Sequence, residues 1–423
     1  MTFGIYTLGC RVNQYESRVI AERLTGMGYT ELPFSSRCDI YIINSCAVTA
    51  ESVRKSRQMI RRAKKTSDGA KIIVTGCFAQ ISPDEVKALG DDIHIIGNKN
   101  KLNDILNAVE ATEVCVCAEE FNIPEYENYI LTKPTRAREY IKIQDGCEGK
   151  CAYCVIPRAR GPVRSKPRES VIEEVKALAQ RGVKEIILTG IEIASYQYDL
   201  PSLIEEIDTV NGIERISLGS LEPTLITEEL AKRFAKIKKL TPHFHISVQS
   251  GSTTVLNRMR RKYNVQMLER SIGHLKKHIP NLRLTCDIIV GFPGESEAEF
   301  EETRAFLERN RFLHAHIFTY SKRPLTVAAD MKDQIPENIK IQRSSVLNSL
   351  QTKIKAELLT NELERCSVPV LFETYADNVN TGHSDNYIEY RVASADDLTG
   401  QLVYVKPISS DTDTVTAEIS SIL

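Results

Sequence analysis

Three thiols stand in one short run, Cys147-Glu-Gly-Lys-Cys151-Ala-Tyr-Cys154, with three and then two residues between them. This spacing folds three sulfurs onto one tight loop, and three thiolates at tetrahedral angles suit zinc or an iron–sulfur cluster. A closed structural zinc site needs a fourth ligand nearby, yet no histidine occurs from 95 to 242 and no other cysteine lies between Cys117 and Cys286. A zinc loop completed from afar is the bland alternative. The spacing favours a four-iron cluster held by three cysteines, with one iron left open to a small molecule. A second trio, Cys10, Cys46 and Cys77, is dispersed, 36 and 31 residues apart. Each falls just past a strand-like run, and in a parallel sheet such loops converge on one edge. These thiols either meet at a second metal site or are ordinary buried cysteines.

The elements that must carry these loops are legible in the periodicity. Short runs rich in Ile, Val and Tyr (5–8, 39–44, 71–75, 93–96) alternate with helical patterns (13–25, 50–65, 84–89, 101–110), which predicts a doubly wound parallel sheet. Periodicity lapses over 111–136 into Glu119, Glu120, Pro124, Glu125, Glu127 and Pro134, a linker composition. Six further strand-like runs follow, near 140–144, 185–189, 215–218, 244–248, 283–290 and 314–318, each but the last followed by a helical candidate. Six such units suit a parallel barrel or open barrel better than a flat sheet. One long amphipathic helix is expected over 337–365, and four strand-like runs after Val368 predict a small β domain. The fold class is α/β.

Composition narrows the function. The 423 residues are 42% hydrophobic and 26% charged, which excludes collagen-like, mucin-like and wholly disordered chains. No apolar run approaches a membrane span and the first residues lack a signal-peptide pattern, so a cytoplasmic protein with no membrane partner is expected. Eleven cysteines in such a compartment point to metal or redox chemistry rather than to disulfides. Net charge is −1, but residues 366–423 hold two basic and nine acidic residues, a net of −7 that leaves +6 on the body. Three acid-free basic runs stand out: Arg54 to Lys65, Arg158 to Arg168, and Arg258 to Lys262. Together they favour contact with nucleic-acid phosphates.

The run Gln144-Asp-Gly-Cys147-x3-Cys151-x2-Cys154-Val-Ile-Pro157-x2-Arg160-Gly161 resembles the signature of the radical S-adenosylmethionine methylthiotransferases. The contexts Thr7-Leu8-Gly9-Cys10, Asn44-Ser45-Cys46 and Thr75-Gly76-Cys77 are similar to that family too, as are Ser220 to Pro223, Ser247 to Ser252, Asp287 to Glu295 and Tyr320 to Pro324. Gly9 to Glu16 and Thr189-Gly190-Ile191-Glu192 look most like the branch that methylthiolates threonylcarbamoyl-adenosine beside the anticodon of tRNA.

The resemblance implies an amino-terminal domain over 1–125 with an auxiliary 4Fe-4S cluster on Cys10, Cys46 and Cys77, and a linker over 126–137. It implies a partial (β/α)6 radical barrel with its trailing helix over 138–365, with a second 4Fe-4S cluster on Cys147, Cys151 and Cys154, and a TRAM-like antiparallel β domain over 366–423. It further implies S-adenosylmethionine held by Tyr153, Thr189, Gly190, Glu192, Gln249 and Gly291, and partners that are a tRNA anticodon stem-loop and an electron donor such as a flavodoxin or ferredoxin. Glu222 and Asp287 are candidates for the cofactor's ribose or amine, or are buried paired charges. The expected reaction is a transfer of a methylthio group to the adenine ring. Other adenosine derivatives, a ribosomal protein side chain, and non-catalytic RNA binding are the alternatives. Two features depart from the family: the acidic tail is awkward for a phosphate clamp, and Leu325 and Val327 stand where the family usually continues with Gly and then Pro, which puts that loop's geometry in question.

Overall fold

A computed structural model describes residues 1–119, 121 and 125–422. Glu120 and Pro124 of the linker composition lie outside the described residues. The amino-terminal strands β1 (Thr2–Thr7), β2 (Ile40–Ser45), β3 (Lys71–Gly76) and β4 (Ile93–Ile96) pair in parallel in that order, extended by Thr30–Glu31 beside β1 and Val116–Cys117 beside β4. β2 and β4 are buried along their whole length, which is why they read as unbroken apolar runs. Helix α1 (Arg11–Gly26) follows β1, α2 (Ala50–Thr66) follows β2, and α3 (Lys101–Glu110) follows β4. The chain leaves β1 for the edge at Thr30 and then crosses to β2 on the other side, so the topological switch point lies between β1 and β2. The loops bearing Cys10 and Cys46 flank that crevice, where sheets of this kind bind ligands.

The second region holds six parallel strands in sequence order: β5 (Arg138–Lys142), β6 (Glu185–Thr189), β7 (Arg215–Leu218, continued by Ser220–Leu221), β8 (His243–Gln249), β9 (Arg283–Val290) and β10 (His314–Thr319). The third strand is broken at Gly219, whose N–H bonds to the Leu188 carbonyl at 2.8 Å. No pairing joins β10 back to β5 among the described residues, so the barrel is open there, and α1 packs against β5. The outer faces of the strands and the surrounding helices form one large apolar core, from Ile141 and Val171 through Phe244 and Ile288 to Phe312. The long helix α4 (Glu337–Glu362) lies against β10 and reaches the final domain.

That domain is a closed five-stranded barrel in which β11 (Val368–Ala376), β12 (Val379–Ser384) and β13 (Glu389–Ala393) pair in antiparallel fashion. β14 (Leu402–Ser410) and β15 (Val415–Ile422) complete it, and closure comes from a parallel β13–β15 pair. The strand absent from the sequence expectation is β12, Val-Asn-Thr-Gly-His-Ser, too polar to show an apolar run. The domain meets the six-stranded barrel at the amino-terminal ends of its strands, opposite the cysteine loops: Arg215 donates to the carbonyls of His383 (2.9 Å) and Pro369 (2.6 Å), and Tyr387 stacks on His243. Three tail acids, Glu373, Asp385 and Asp413, pair with Arg138, Arg365 and Lys355 of the body. Part of the tail's acidity therefore serves attachment.

Candidate active site between two cysteine triads

Cys147, Cys151 and Cys154 lie on the loop after β5, at the mouth of the open barrel. Donors converge on their sulfurs: the Gly149 N–H reaches Cys147 Sγ (3.2 Å), the Ile156 N–H reaches Cys154 Sγ (3.4 Å), and Arg261 Nη1 reaches Cys151 Sγ (3.0 Å). Burial, reinforced by the neighbouring thiols, pushes the Cys154 thiol up to about 12. Cys147, also raised by burial, and Cys154 are therefore neutral at pH 7 unless a cation binds them. The donors fit a thiolate-bound cluster, because each N–H would stabilise negative sulfur.

Cys10, Cys46 and Cys77 are brought together by the ends of β1, β2 and β3. Gly9 adopts a left-handed φ of 97° with its backbone against Cys46, where a Cβ would stand 3.0 Å from Sγ. Gly76, at φ 92°, opens the helical turn Cys77–Ile81, and a Cβ there would overlap the Ser45 carbonyl. Burial, then the charge of Cys77, pushes Cys46 up to about 11, and Cys10 is raised by burial although Arg160 opposes it. Cys10 opens onto a cavity while surrounded by protein in depth.

Beneath this triad lies a buried charge network. Arg160 donates to Glu16, Asn13 and Asp145; Lys101 and Lys142 also reach Glu16, and Lys142 and Arg164 reach Asp145. All six charged side chains are buried. Four cations against two carboxylates leave an excess of +2, and Arg160 feels the charge of Cys77 and Cys10. Three thiolates would offset that excess, so this site fits an anionic cluster. Sequence reading treated Arg160, Arg164 and Lys166 as phosphate contacts. The structure corrects this: all three are buried, and Lys166 pairs with buried Glu174. The partners of Arg160 are 144 residues away for Glu16 and 15 for Asp145, so no local pattern shows its pairing.

A cavity of about 500 Å³ joins the two triads. It is bordered by Cys10 and Cys46 on one side, by Tyr153 and Cys154 on the other, and by Gln249, Asp287 and Arg323 between. Tyr153 meets Phe292 edge-on, with ring centroids 6.5 Å apart. Gln249 closes β8 in a left-handed conformation beside a register shift. Thr189, Gly190 and Glu192 stand at the end of β6 by Cys147, not on this cavity, and the Glu192 N–H bonds to Gln144 Oε1 (2.8 Å). Burial and the charge of Glu222 push the Glu192 carboxyl up to about 7. Glu222 itself pairs with Arg261 at 3.4 Å. Gly291 is turned away: its N–H is taken by Glu295 Oε2 (2.6 Å), and Lys340 of α4 covers it.

On the inner face of the barrel, His245, Asp287 and His316 from three adjacent strands bring their polar atoms within 4.8 Å of one another, and of the three Asp287 borders the cavity. Leu325 takes a left-handed φ of 68°, so the loop keeps a turn suited to glycine although a branched side chain occupies it.

Residues 141–307 match the radical SAM superfamily and residues 2–97 match the uncharacterized protein family UPF0004. The chain is 38% identical to the threonylcarbamoyladenosine tRNA methylthiotransferase MtaB of Bacillus subtilis, over 96% of this chain and 93% of that protein. The protein of the same name from Thermotoga maritima is 39% identical over 92% and 91%. Among solved structures, the cobalamin- and cluster-bound radical S-adenosylmethionine methyltransferase TsrM of Kitasatospora setae shares the fold at TM-score 0.58 and 16% identity, covering 78% of this chain and 77% of that one. With the two triads facing one cavity and relatives of this similarity along nearly its whole length, the chain belongs to the radical S-adenosylmethionine methylthiotransferase family.

Proposed function

We propose that this protein converts N6-threonylcarbamoyladenosine beside the anticodon of tRNA to its 2-methylthio derivative. The carrying observation is a cavity bordered by cysteines of both triads, since a sulfur-bearing centre and a radical-generating centre must both reach one ring carbon. On this reading Cys147, Cys151 and Cys154 hold one 4Fe-4S cluster and Cys10, Cys46 and Cys77 the other. Bound there, the clusters and S-adenosylmethionine supply the radical that takes hydrogen from the adenine and the methylated sulfur that replaces it.

The chain's own residues bind, orient and exclude water. Tyr153 and Gln249 would line the cofactor's nucleoside. Thr189, Gly190, Glu192 and Glu222 would take its amine or ribose at the Cys147 edge. Gly291 would act only by shaping the turn beside them. Residues 1–125 then carry the auxiliary centre, 126–137 link, 138–365 form the radical barrel with its helix, and 366–423 assist RNA binding from the far end. Among the described residues no helix is long and apolar enough to cross a membrane. A cytoplasmic setting, with a flavodoxin or ferredoxin as electron donor, completes the reading.

Mass spectrometry of nucleosides from digested tRNA tests it, comparing cells lacking this gene with complemented cells. The 2-methylthio form of threonylcarbamoyladenosine should vanish on deletion and return with the intact gene but not with Cys10→Ala or Cys151→Ala. An unchanged nucleoside pattern on deletion overturns the assignment.

A further inference from the structure

Behind Asp287, which borders the cavity, the interior of the open barrel holds a cation that no carboxylate among the described residues neutralises. Arg11, the residue after Cys10, opens α1 and lies half-buried with its guanidinium 5.8 Å from the Tyr140 ring centroid. Among the described residues it has no ion pair, and its side chain makes no hydrogen bond to protein. The other cations here are engaged: Lys101, Lys142, Arg160 and Arg164 reach carboxylates of the buried network, Arg138 reaches Glu185 and Glu373, and Arg136, over the same Tyr140 ring at 5.4 Å, donates to Gln14. Its charge is felt across the barrel interior: burial first, and then charges that include that of Arg11, disfavour protonation of His316 and His243. His316 is exposed, and among the described residues its ring has no hydrogen-bond partner. His245 is fully engaged, through Nδ1 to Thr285 (3.0 Å) and through Nε2 to Asp287 (3.3 Å).

The spacing of His245, Asp287 and His316 would suit a divalent cation, but a neighbouring unpaired guanidinium raises the cost of a second positive charge. An anion is the better occupant. The proposed substrate carries one, because the threonyl carboxylate on N6 is ionised at pH 7, whereas its hydroxyl and urea N–H groups can donate to an acceptor such as Asp287. An adenosine with only a hydrocarbon on N6 offers neither group.

We propose that Arg11, with His316 beside it, binds the carboxylate of the substrate's threonylcarbamoyl group, and that Asp287, oriented by His245, accepts from its hydroxyl or urea N–H. This inference rests on the function proposed above and adds the selectivity element. Arg323, unpaired among the described residues, is a guanidinium that borders the cavity itself. It lines both the cavity and an outer pocket shared with Arg57 of α2, so it sits where the nucleotide backbone must pass and serves a phosphate common to every substrate.

The test uses reconstituted holoenzyme and anticodon stem-loops bearing threonylcarbamoyladenosine either as the free acid or as its methyl ester, with single-turnover kcat/KM read by mass spectrometry. Loss of a charge-assisted hydrogen bond predicts that the wild type prefers acid to ester by roughly 10- to 100-fold. Arg11→Met should lower activity on the acid and bring the ratio close to one, Arg11→Lys should keep part of it, and Arg323→Met should lower both substrates equally. Iron content and cluster absorbance of each variant report on folding. Equal use of acid and ester by the wild type, or loss of the preference in Arg323→Met but not in Arg11→Met, overturns the inference and leaves the function standing. Modification of a dimethylallyl stem-loop and neither of these would instead overturn the function.

Discussion

Helix α2 and the segment 158–168 are both dense in cations without an intervening acid, yet the molecule uses them in opposite ways. In α2 the apolar residues Val53, Met59, Ile60 and Ala63 turn inward, while Arg61, Arg62 and Lys65 stay exposed without acidic partners among the described residues. The helix starts at the cavity rim, where Val48, Thr49 and Ser52 line the opening, and from Ser52 to Lys65 it runs roughly 20 Å outward. Segment 158–168 instead turns Arg160, Arg164 and Lys166 into the interior against Glu16, Asp145 and Glu174. Exposed charge is cheap to hold and open to a partner. Buried charge is costly to hold and must be matched. The difference lies in what surrounds the residues, not in the residues themselves.

The sharpest way to test that contrast is at Arg160. Arg160→Met leaves Glu16 and Asp145 short of a buried partner and should cost about 3–5 kcal/mol in urea unfolding. Glu16→Gln should cost a comparable amount, and the double variant less than the total of the two, because both act on one network. Acid gives the same comparison by another route. Burial works against the charged form of Glu16, but Arg160, Lys101 and Lys142 together hold its carboxyl well below the usual range, and Asp145 is likewise held down by Lys142, Arg160 and Arg164. A depressed folded-state pKa means that this stabilisation is fully present above the unfolded carboxyl value near pH ~4 and is lost as pH falls further. Melting temperature should therefore fall as the medium is acidified below about pH 4, and in Arg160→Met, where the carboxyls are less depressed, the acid-dependent fall should be smaller and end at a higher pH.

In α2 the expected effect moves from stability to binding. Alanine at Arg61, Arg62 and Lys65 together should leave the melting temperature unchanged. It should flatten the salt dependence of tRNA affinity by up to roughly 0.7–0.9 in log–log slope per lost phosphate contact, read by filter binding at several salt concentrations. An unchanged slope would place the RNA elsewhere, with exposed Arg260 and Lys262 the next group to replace. The smallest effect is at Leu325, exposed in a left-handed turn: Leu325→Gly should stabilise by about 0.5–1 kcal/mol, the relief of backbone strain being partly offset by a more flexible unfolded chain.

These regions also show why sequence carries some features and hides others. The strands around Ile40 and Ile186 declare themselves because burial on both faces demands continuous apolar residues. The loop of Cys147, Cys151 and Cys154 is local, so its spacing alone conveys the chemistry. The trio Cys10, Cys46 and Cys77 needs the sheet order before convergence follows, and the order is a tertiary fact. Burial of Arg160 and isolation of Arg11 depend on partners, present or missing, that lie in other elements. Neither can be inferred from neighbours in the chain. Strand β12 escaped because it is held by backbone pairing to β11 and β13 and carries polar side chains rather than apolar bulk.

The dispersal of Cys10, Cys46 and Cys77 over three successive strand–helix units also has a mechanical side. Whatever ties these thiols together closes two loops, of 36 and 31 residues, in the unfolded chain, whereas a tie across Cys147, Cys151 and Cys154 closes loops of only four and three. By loop-closure entropy each long tie is worth roughly 3–4 kcal/mol and each short one about half as much. The dispersed trio is thus a staple for the whole amino-terminal sheet, so a protease should cut that domain faster when the staple is missing than when it is in place.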